Sequence, residues 1–330
     1  MIIRLVHFIL IVTALLFTGC VRKNFYAKTP LVNPQVRQKL QENPKAEDSV
    51  LVQAGKHYKK GFLHHIFWGK HYRPVWTAPV KVPVFDMDSA KGGLKIEKLG
   101  GGFQTTSLTL SAPDGFTYAL RSLDKDPASV LPKVWRDTFV LNILRDQISA
   151  INPYAALTLP PMAEAAGVPH SKPQLVYVRP NDKAFGEYED KFSDKLFTIE
   201  EKYNDKRAIT PALGDAIDIV NSGKVLNKRF GDDNHFIDQL AFARARLFDV
   251  LIHDWDRHEG QWEWAEYKKK GEHIYRPIPK DRDNVFYRFQ DGIIPWIFSR
   301  NWAIRKFESF DDEYNDVYAL MINSKFIDER

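Results

Sequence analysis

The sequence predicts an α+β fold in which a β-rich N-terminal part precedes a helical C-terminal part. Residues 94–123 hold three short runs of β-forming side chains punctuated by turns: Leu94–Leu99, Thr106–Ser111 and Phe116–Leu123. Phe236–Ile252 instead repeats apolar residues at helical spacing, which predicts a buried stripe of Phe236, Leu240, Ala243, Leu247, Phe248 and Leu251. A content of 44% hydrophobic and 13% aromatic residues places the chain among globular proteins.

The first twenty residues, MIIRLVHFILIVTALLFTGC, carry Arg4 ahead of an apolar run from Leu5 to Phe17 that is short for a membrane span and closes on small residues. Residues 1–20 therefore read as a lipoprotein signal peptide. Cys20, the single cysteine of the chain, stands where a bacterial lipobox places the acylated residue. The expected partner is a membrane, reached through a lipid anchor, and the expected location is the bacterial outer membrane, because Val21 is not acidic. No disulfide can form within the chain. The net charge of +5 over 330 residues is mild, so nucleic acid is not an expected partner. The basic run Lys268–Lys270 reads as a solvated hairpin tip.

Residues 21–55 are polar and lack periodic apolar residues, which predicts a flexible tether. Residues 56–180 are expected to form an N-terminal strap and the β-rich part, and residues 181–330 the helical part. The strap, His57–Tyr72, is rich in aromatic and basic residues. Gly100-Gly101-Gly102 separates the first two strands, where bare backbone could approach a phosphate, and Pro113-Asp114-Gly115 turns between the second and third. Asp137–Ile148 is a helix by periodicity, and its Asp146 is the acid best placed to pair with a basic strand residue. A short helix is expected over Pro161–Ala166 and a strand over Pro173–Val178, with Arg179–Asp182 leaving it as a hinge. Ala212–Ser222 is expected to be helical.

The richest stretch for chemistry is His253–Phe286, HDWDRHEGQWEWAEYKKKGEHIYRPIPKDRDNVF. Asp254, Asp256, Arg257 and His258 follow an apolar helix, and Asp281 and Asp283 follow a Pro-Ile-Pro segment across a predicted hairpin. Two such carboxylate clusters suit a hard divalent cation, Mg²⁺ or Mn²⁺, that meets a phosphate. Their neighbours Trp255, Trp262, Trp264, Tyr275 and Phe286 are too apolar for a fully solvated face, so the charges need compensation by a cation or by arginine. A structural Arg–Asp network is the alternative to a metal–phosphate site.

This stretch resembles the catalytic half of atypical kinase folds of the CotH, HipA and Golgi secretory-pathway types. Asp256-Arg257-His258 is similar to their catalytic loop, with Gln261 where those families place a metal-binding Asn. Pro279–Phe286 resembles the CotH "PWDxD" segment. The stretch is also similar to a DWDRHxxQW…PIPxDRDxxF module of envelope proteins. The likeness covers about a tenth of the chain. It implies a two-lobed kinase-like fold with a small β-rich N-lobe and a helical C-lobe. It also implies metal-dependent binding of ATP or another phosphate and phosphoryl transfer. Tyr118-Ala119-Leu120-Arg121 then lines up with the Val-Ala-Ile-Lys strand of protein kinases. In this scheme Asp256 orients the acceptor with support from His258, and Gln261, Asp281 and Asp283 hold the metal. Gly100, Gly101, Gly102, Arg121 and Lys125 hold the phosphates. The competing expectation is a pseudokinase, or a scaffold lipoprotein with an envelope partner, without catalysis.

Overall fold

The computed structural model describes residues 21–101, 104–300, 302–303, 309–310 and 325–327. The predicted signal peptide with Cys20, and Gly102 of the glycine turn, lie outside these residues. The fold is α+β, as predicted, with two sheets and helices packed on them.

Seven strands build the first sheet: β1 (Ser49–Gln53), β2 (Pro79–Phe85), β3 (Lys95–Gly100), β4 (Ser107–Ser111), β5 (Thr117–Ser122), β6 (Gln174–Val178) and β7 (Lys195–Glu201). Their spatial order is β1-β2-β6-β7-β5-β4-β3. The predicted meander β3–β4–β5 is present, and its turns fall at the two glycine segments. Only glycine suits position 101: its φ is +84°, and a Cβ there would lie 2.0 Å from the Thr105 carbonyl oxygen. Both faces of the sheet are covered, so β6 reads as a continuous apolar run. Val176 and Val178 join Leu108, Leu120, Phe192 and Phe197 on one face. Leu175 and Tyr177 join Val50, Val52, Tyr58 and Trp76 on the other.

That second core corrects the expected tether over 21–55. Helix α1 (Gln35–Glu42) and strand β1 lie in this segment, and Phe25, Leu31, Leu40, Val50 and Val52 are buried. Isolated apolar residues in polar surroundings hid it, because β1 buries only alternate side chains at the sheet edge. The expected boundary at 180 moves as well. Residues 179–194, with the short helix α6 (Glu189–Phe192), form no hinge, since β7 returns to the same sheet antiparallel to β6.

The remaining early helices are α2 (Phe62–Trp68) and α3 (Arg73–Thr77) of the strap, α4 (Phe139–Gln147) and α5 (Ala155–Ala165). Thr138 caps α4 through its side chain. Helix α5 starts six residues before the expected Pro161, which places Pro160 and Pro161 inside it. Buried Ala155, Leu159 and Ala163 anchor it and offset the two missing N–H donors.

The C-terminal half is not simply helical. It holds a second sheet of β8 (Asp218–Asn221), β9 (His235–Ile237), β10 (Trp262–Lys269) and β11 (Glu272–Pro279), in the order β8-β10-β11-β9. Of the expected helix over 212–222, only the 3₁₀ turn at Pro211–Leu213 and Ser222 are helical, and Asp218–Asn221 is instead β8, paired antiparallel with Glu263–Glu266 of β10. Helix α7 (Ser222–Gly231) follows it, with Asn221 as N-cap. Helix α8 (Gln239–Leu251) turns Phe242, Ala245, Phe248 and Asp249 inward and leaves Leu240, Leu247 and Leu251 exposed, so the predicted stripe is misphased. A buried aspartate on the inner face explains the error, because apolar periodicity cannot register it. Trp262 and Trp264 are core residues, as expected. Helix α9 (Ile293–Phe298) follows the acidic segment. Among the described residues, no helix is long and apolar enough to cross a membrane.

Candidate functional site

Between the two sheets lies an open cleft whose enclosed volume is about 70 Å³. One wall comes from the first sheet, with Arg121 of β5, Lys125 just beyond it, and Thr198 and Glu200 of β7. The facing wall is the segment after β11, Pro279–Asp283. Its apolar floor includes Ile148, Ile151 and Leu159.

Two ion pairs span this cleft. The Arg121 guanidinium contacts the Asp281 carboxylate, 160 residues away in sequence. Lys125 Nζ lies 2.8 Å from Asp283 Oδ2 and donates to Asn284 Oδ1 at 3.2 Å. Arg121 Nε also stands 3.5 Å from Glu200 Oε1, while Ser171 Oγ donates to Glu200 Oε2 at 2.6 Å. Burial raises the Glu200 carboxyl above the usual range, against the pull of Arg121 and Ser171. Across the first sheet, Gly100 faces Ser107 and Ser107 faces Arg121 in register. The glycine turn therefore sits about 10 Å from the Arg121 backbone at the same end of the sheet, two strand spacings away. The adjoining loop is tied to the Lys125 segment, where Asp126 N donates to the Gln104 carbonyl at 2.7 Å.

Behind the acidic wall, Asp249, Asp254, Arg257 and Arg282 form a buried charge network. Arg257 Nε lies 3.2 Å from Asp249 Oδ2, and its Nη2 contacts Asp254. Arg282 Nη2 donates to Asp249 Oδ1 at 2.9 Å, and Arg246 Nη1 to Asp249 Oδ2 at 2.9 Å. Arg257 Nη1 donates to the carbonyls of Gln261 and Lys280, which fixes the start of the acidic segment. Asp281 itself has φ +63°, in the left-handed region that Asp tolerates better than most residues. Burial pushes the Asp254 carboxyl up to about 6, and its Oδ1 has no hydrogen-bond partner. The Arg–Asp network expected as one alternative is present, built on Asp249, Asp254, Arg257 and Arg282, while Asp281 and Asp283 stand apart from it as acids paired across the cleft.

The other candidates lie elsewhere. Asp256 is half-buried and His258 is exposed, and neither lines this cleft. His258 caps the turn before β10, its Nδ1 accepting from Gly260 N at 3.1 Å. Gln261 is buried and does not line the cleft, and its Oε1 has no hydrogen-bond partner. Gly100 and Gly101 stand near the cleft without lining it. Asp146 does not reach Arg121. It is held by Arg73 of α3 at 2.6 Å and by His64 of α2 at 2.9 Å. Glu200, Ser171 and Arg282 line the cleft and were not singled out from the sequence. The only local sign was Glu200's alternation with apolar Ile199 on a strand.

Among the described residues, one cluster has metal-ligand chemistry: His235, Glu266 and His273 place ligating atoms within 4.8 Å of one another. It lies six residues along β11 from Pro279, roughly 20 Å from the cleft wall. Its groups satisfy one another. His235 Nδ1 shares a hydrogen bond with Tyr275 OH at 2.7 Å, His273 Nδ1 with Glu266 Oε1 at 2.6 Å, and Lys228 Nζ donates to Glu266 Oε2 at 3.1 Å. The Lys228 ammonium opposes a cation there.

Near Lys125, the Asp124 carboxyl is pushed up to about 7 by burial, and its Oδ1 is buried without a partner. A carboxyl whose folded pKa lies above its unfolded value binds more protons when folded. Its contribution to stability is present below about 3.8 and lost as pH rises to about 7. Asp124→Asn should therefore flatten the fall in unfolding free energy between pH 4 and pH 7 relative to the unsubstituted protein. Urea unfolding across that range checks it; parallel curves for the two proteins would contradict it.

Comparison with protein-family models, with curated proteins and with solved structures finds no match for this chain.

Proposed function

We propose that the cleft binds a phosphorylated ligand of nucleotide type together with Mg²⁺ or Mn²⁺. The protein is then a kinase-like, two-lobed domain carried on an outer-membrane lipoprotein anchored at Cys20. The observation that supports this best is the pair of ion bridges, Arg121–Asp281 and Lys125–Asp283, whose bases come from one sheet and whose acids follow the other. Each bridge joins the two groups that such a ligand needs: bases for phosphate oxygens, and hard carboxylate oxygens for the cation. Asp281 and Asp283 would hold the cation, which supplies charge neutralisation at the phosphate. Arg121 and Lys125, released from the acids, take the phosphate oxygens. The acids are about one-third exposed, 34% for Asp281 and 36% for Asp283, so a cation can reach them from solvent, while Lys125, only 9% exposed, keeps a counter-charge only if phosphate replaces Asp283.

Binding without transfer is the second reading, and a specific observation favours it: Asp256 and His258 lie outside the cleft lining. In either case Mg²⁺ with ATP should raise the melting temperature of the protein. A ligand at a hundredfold excess over its Kd adds about 2.7 kcal/mol. Asp283→Asn should keep the fold and lose the Mg²⁺-dependent part of that shift, whereas Asp256→Asn should retain it. A well-folded protein with no shift under any combination of cation and nucleotide would refute the proposal.

A further inference from the structure

We propose that α2 and α9 together form a lipid-facing surface that lays the domain on the bilayer beside its own anchor. The proposal rests on the assignment of Cys20 as the acylated residue. Phe62 and Leu63 of α2 are 75% and 70% exposed, and Trp302, just past α9, is 73% exposed. Phe67, Trp296 and Phe298 are exposed on the same two helices. Six large apolar side chains in solvent, five on these two adjoining helices and one just past the second, are more than scattered surface residues account for.

The two helices act as one platform. They pack together, and Gly69 at the end of α2 abuts Gly292 at the start of α9. A Cβ on Gly69 would lie 1.8 Å from the Asp291 carbonyl oxygen, and one on Gly292 would lie 2.3 Å from Gly69 N. Both glycines have positive φ, +90° and +141°. No side chain fits this junction, so the aromatic groups on either side keep a fixed relation.

The surroundings suit an anionic headgroup layer. Lys59 and Lys70 are exposed on either side of α2, and the Arg300 guanidinium stands 4.0 Å from the Trp296 ring. The nearby acids are engaged inward: Asp291 accepts from His71 N at 2.8 Å, and Asp146 is taken by Arg73 and His64. Aromatic bodies with basic neighbours are what membrane interfaces collect.

The chain enters the fold at this place. Val21 N donates to the Asp137 carbonyl at 3.2 Å, and Arg22 N donates to Asn142 Oδ1 at 2.8 Å. The residues after Cys20 are therefore held on α4. The same helix holds α2, through Asp146 and His64 Nε2 at 2.9 Å. Asn142 and Asp146 are four residues apart, about 6 Å along the helix axis. The segment that follows Cys20 and the helix that carries Phe62 and Leu63 are thus both held by α4. A lipid anchor on one residue holds the chain to the membrane but leaves the domain free to turn, so a second contact of this kind changes a loose tether into a fixed orientation.

The test is tryptophan quenching in the full chain, reconstituted into phosphatidylethanolamine–phosphatidylglycerol vesicles with brominated acyl chains. Metabolic labelling with a fatty acid reads lipid attachment separately. The expected result is quenching relative to unbrominated vesicles that is largely lost in the Trp296→Phe/Trp302→Phe variant, although six of the eight tryptophans remain. Phe62→Ser/Leu63→Ser, which alters only exposed groups, should cut vesicle partitioning of unlabelled protein about tenfold or more. Quenching with no fatty-acid label would support the surface and remove the Cys20 assignment. Label without quenching, or quenching unchanged by the Trp substitutions, would overturn the surface, as would protein that carries no label and does not bind vesicles.

Discussion

Arg257→Met is expected to lower the unfolding free energy by about 3–5 kcal/mol, the range for breaking a buried ion pair by removing one partner. The Arg257 side chain has no solvent exposure, and its partners Asp249 and Asp254 are 1% and 0% exposed at the side chain. Methionine fills much of the volume, so the loss reports charge rather than a cavity. Asp249 keeps Arg246 and Arg282, but Asp254 loses its direct partner and would have to be protonated. The folded pKa of Asp254, already about 6, therefore rises further, and the destabilisation shrinks as pH falls toward the unfolded value. Asp254→Asn in the Arg257→Met background should recover part of the loss at neutral pH. Urea unfolding of the three proteins at pH 5 and pH 8 measures this. A loss below about 1 kcal/mol would place the network among ordinary surface pairs.

Arg121→Met acts differently. Its ion pair is partly exposed, so stability should change little, by about 1 kcal/mol or less. The ligand response should change a great deal. Charge-assisted hydrogen bonds contribute about 1.5–3 kcal/mol each, so losing the guanidinium should weaken phosphate binding about tenfold to a hundredfold. Arg121→Lys should recover only part of the affinity, because an ammonium lacks the fork that meets two oxygens at once. Equal loss of stability and of binding would mean that Arg121 only holds the two sheets together.

The sequence was most legible where local rules act alone. The β3–β4–β5 meander announced itself through Gly100-Gly101 and Pro113-Asp114-Gly115, because turn chemistry is local. Of Gly101, Arg121, Asp256 and Asp283, which motif resemblance brings to one cleft, Arg121 and Asp283 line it, whereas Gly101 and Asp256 do not. Strand β8 could not be seen in Asp218–Asn221, because only pairing with β10 makes four such residues a strand. The segment 21–55 looked like a tether because Leu31, Leu40, Val50 and Val52 are sparse, yet they complete a core supplied by Tyr58, Trp76 and Tyr177. Asp249 defeated the helical stripe for a related reason, since its inward charge is satisfied by Arg246 of the same helix together with Arg257 and Arg282, which arrive from later in the chain.

The central claim is that the Arg121–Asp281 and Lys125–Asp283 bridges mark a site for a phosphorylated ligand and a divalent cation. Titration calorimetry of ATP into the protein, with and without Mg²⁺, tests it most directly. The expected result is saturable binding in Mg²⁺ that weakens sharply without the cation, and that weakens in Arg121→Met and in Asp283→Asn. The absence of saturable heat from well-folded protein, or binding unaffected by both substitutions, would contradict it.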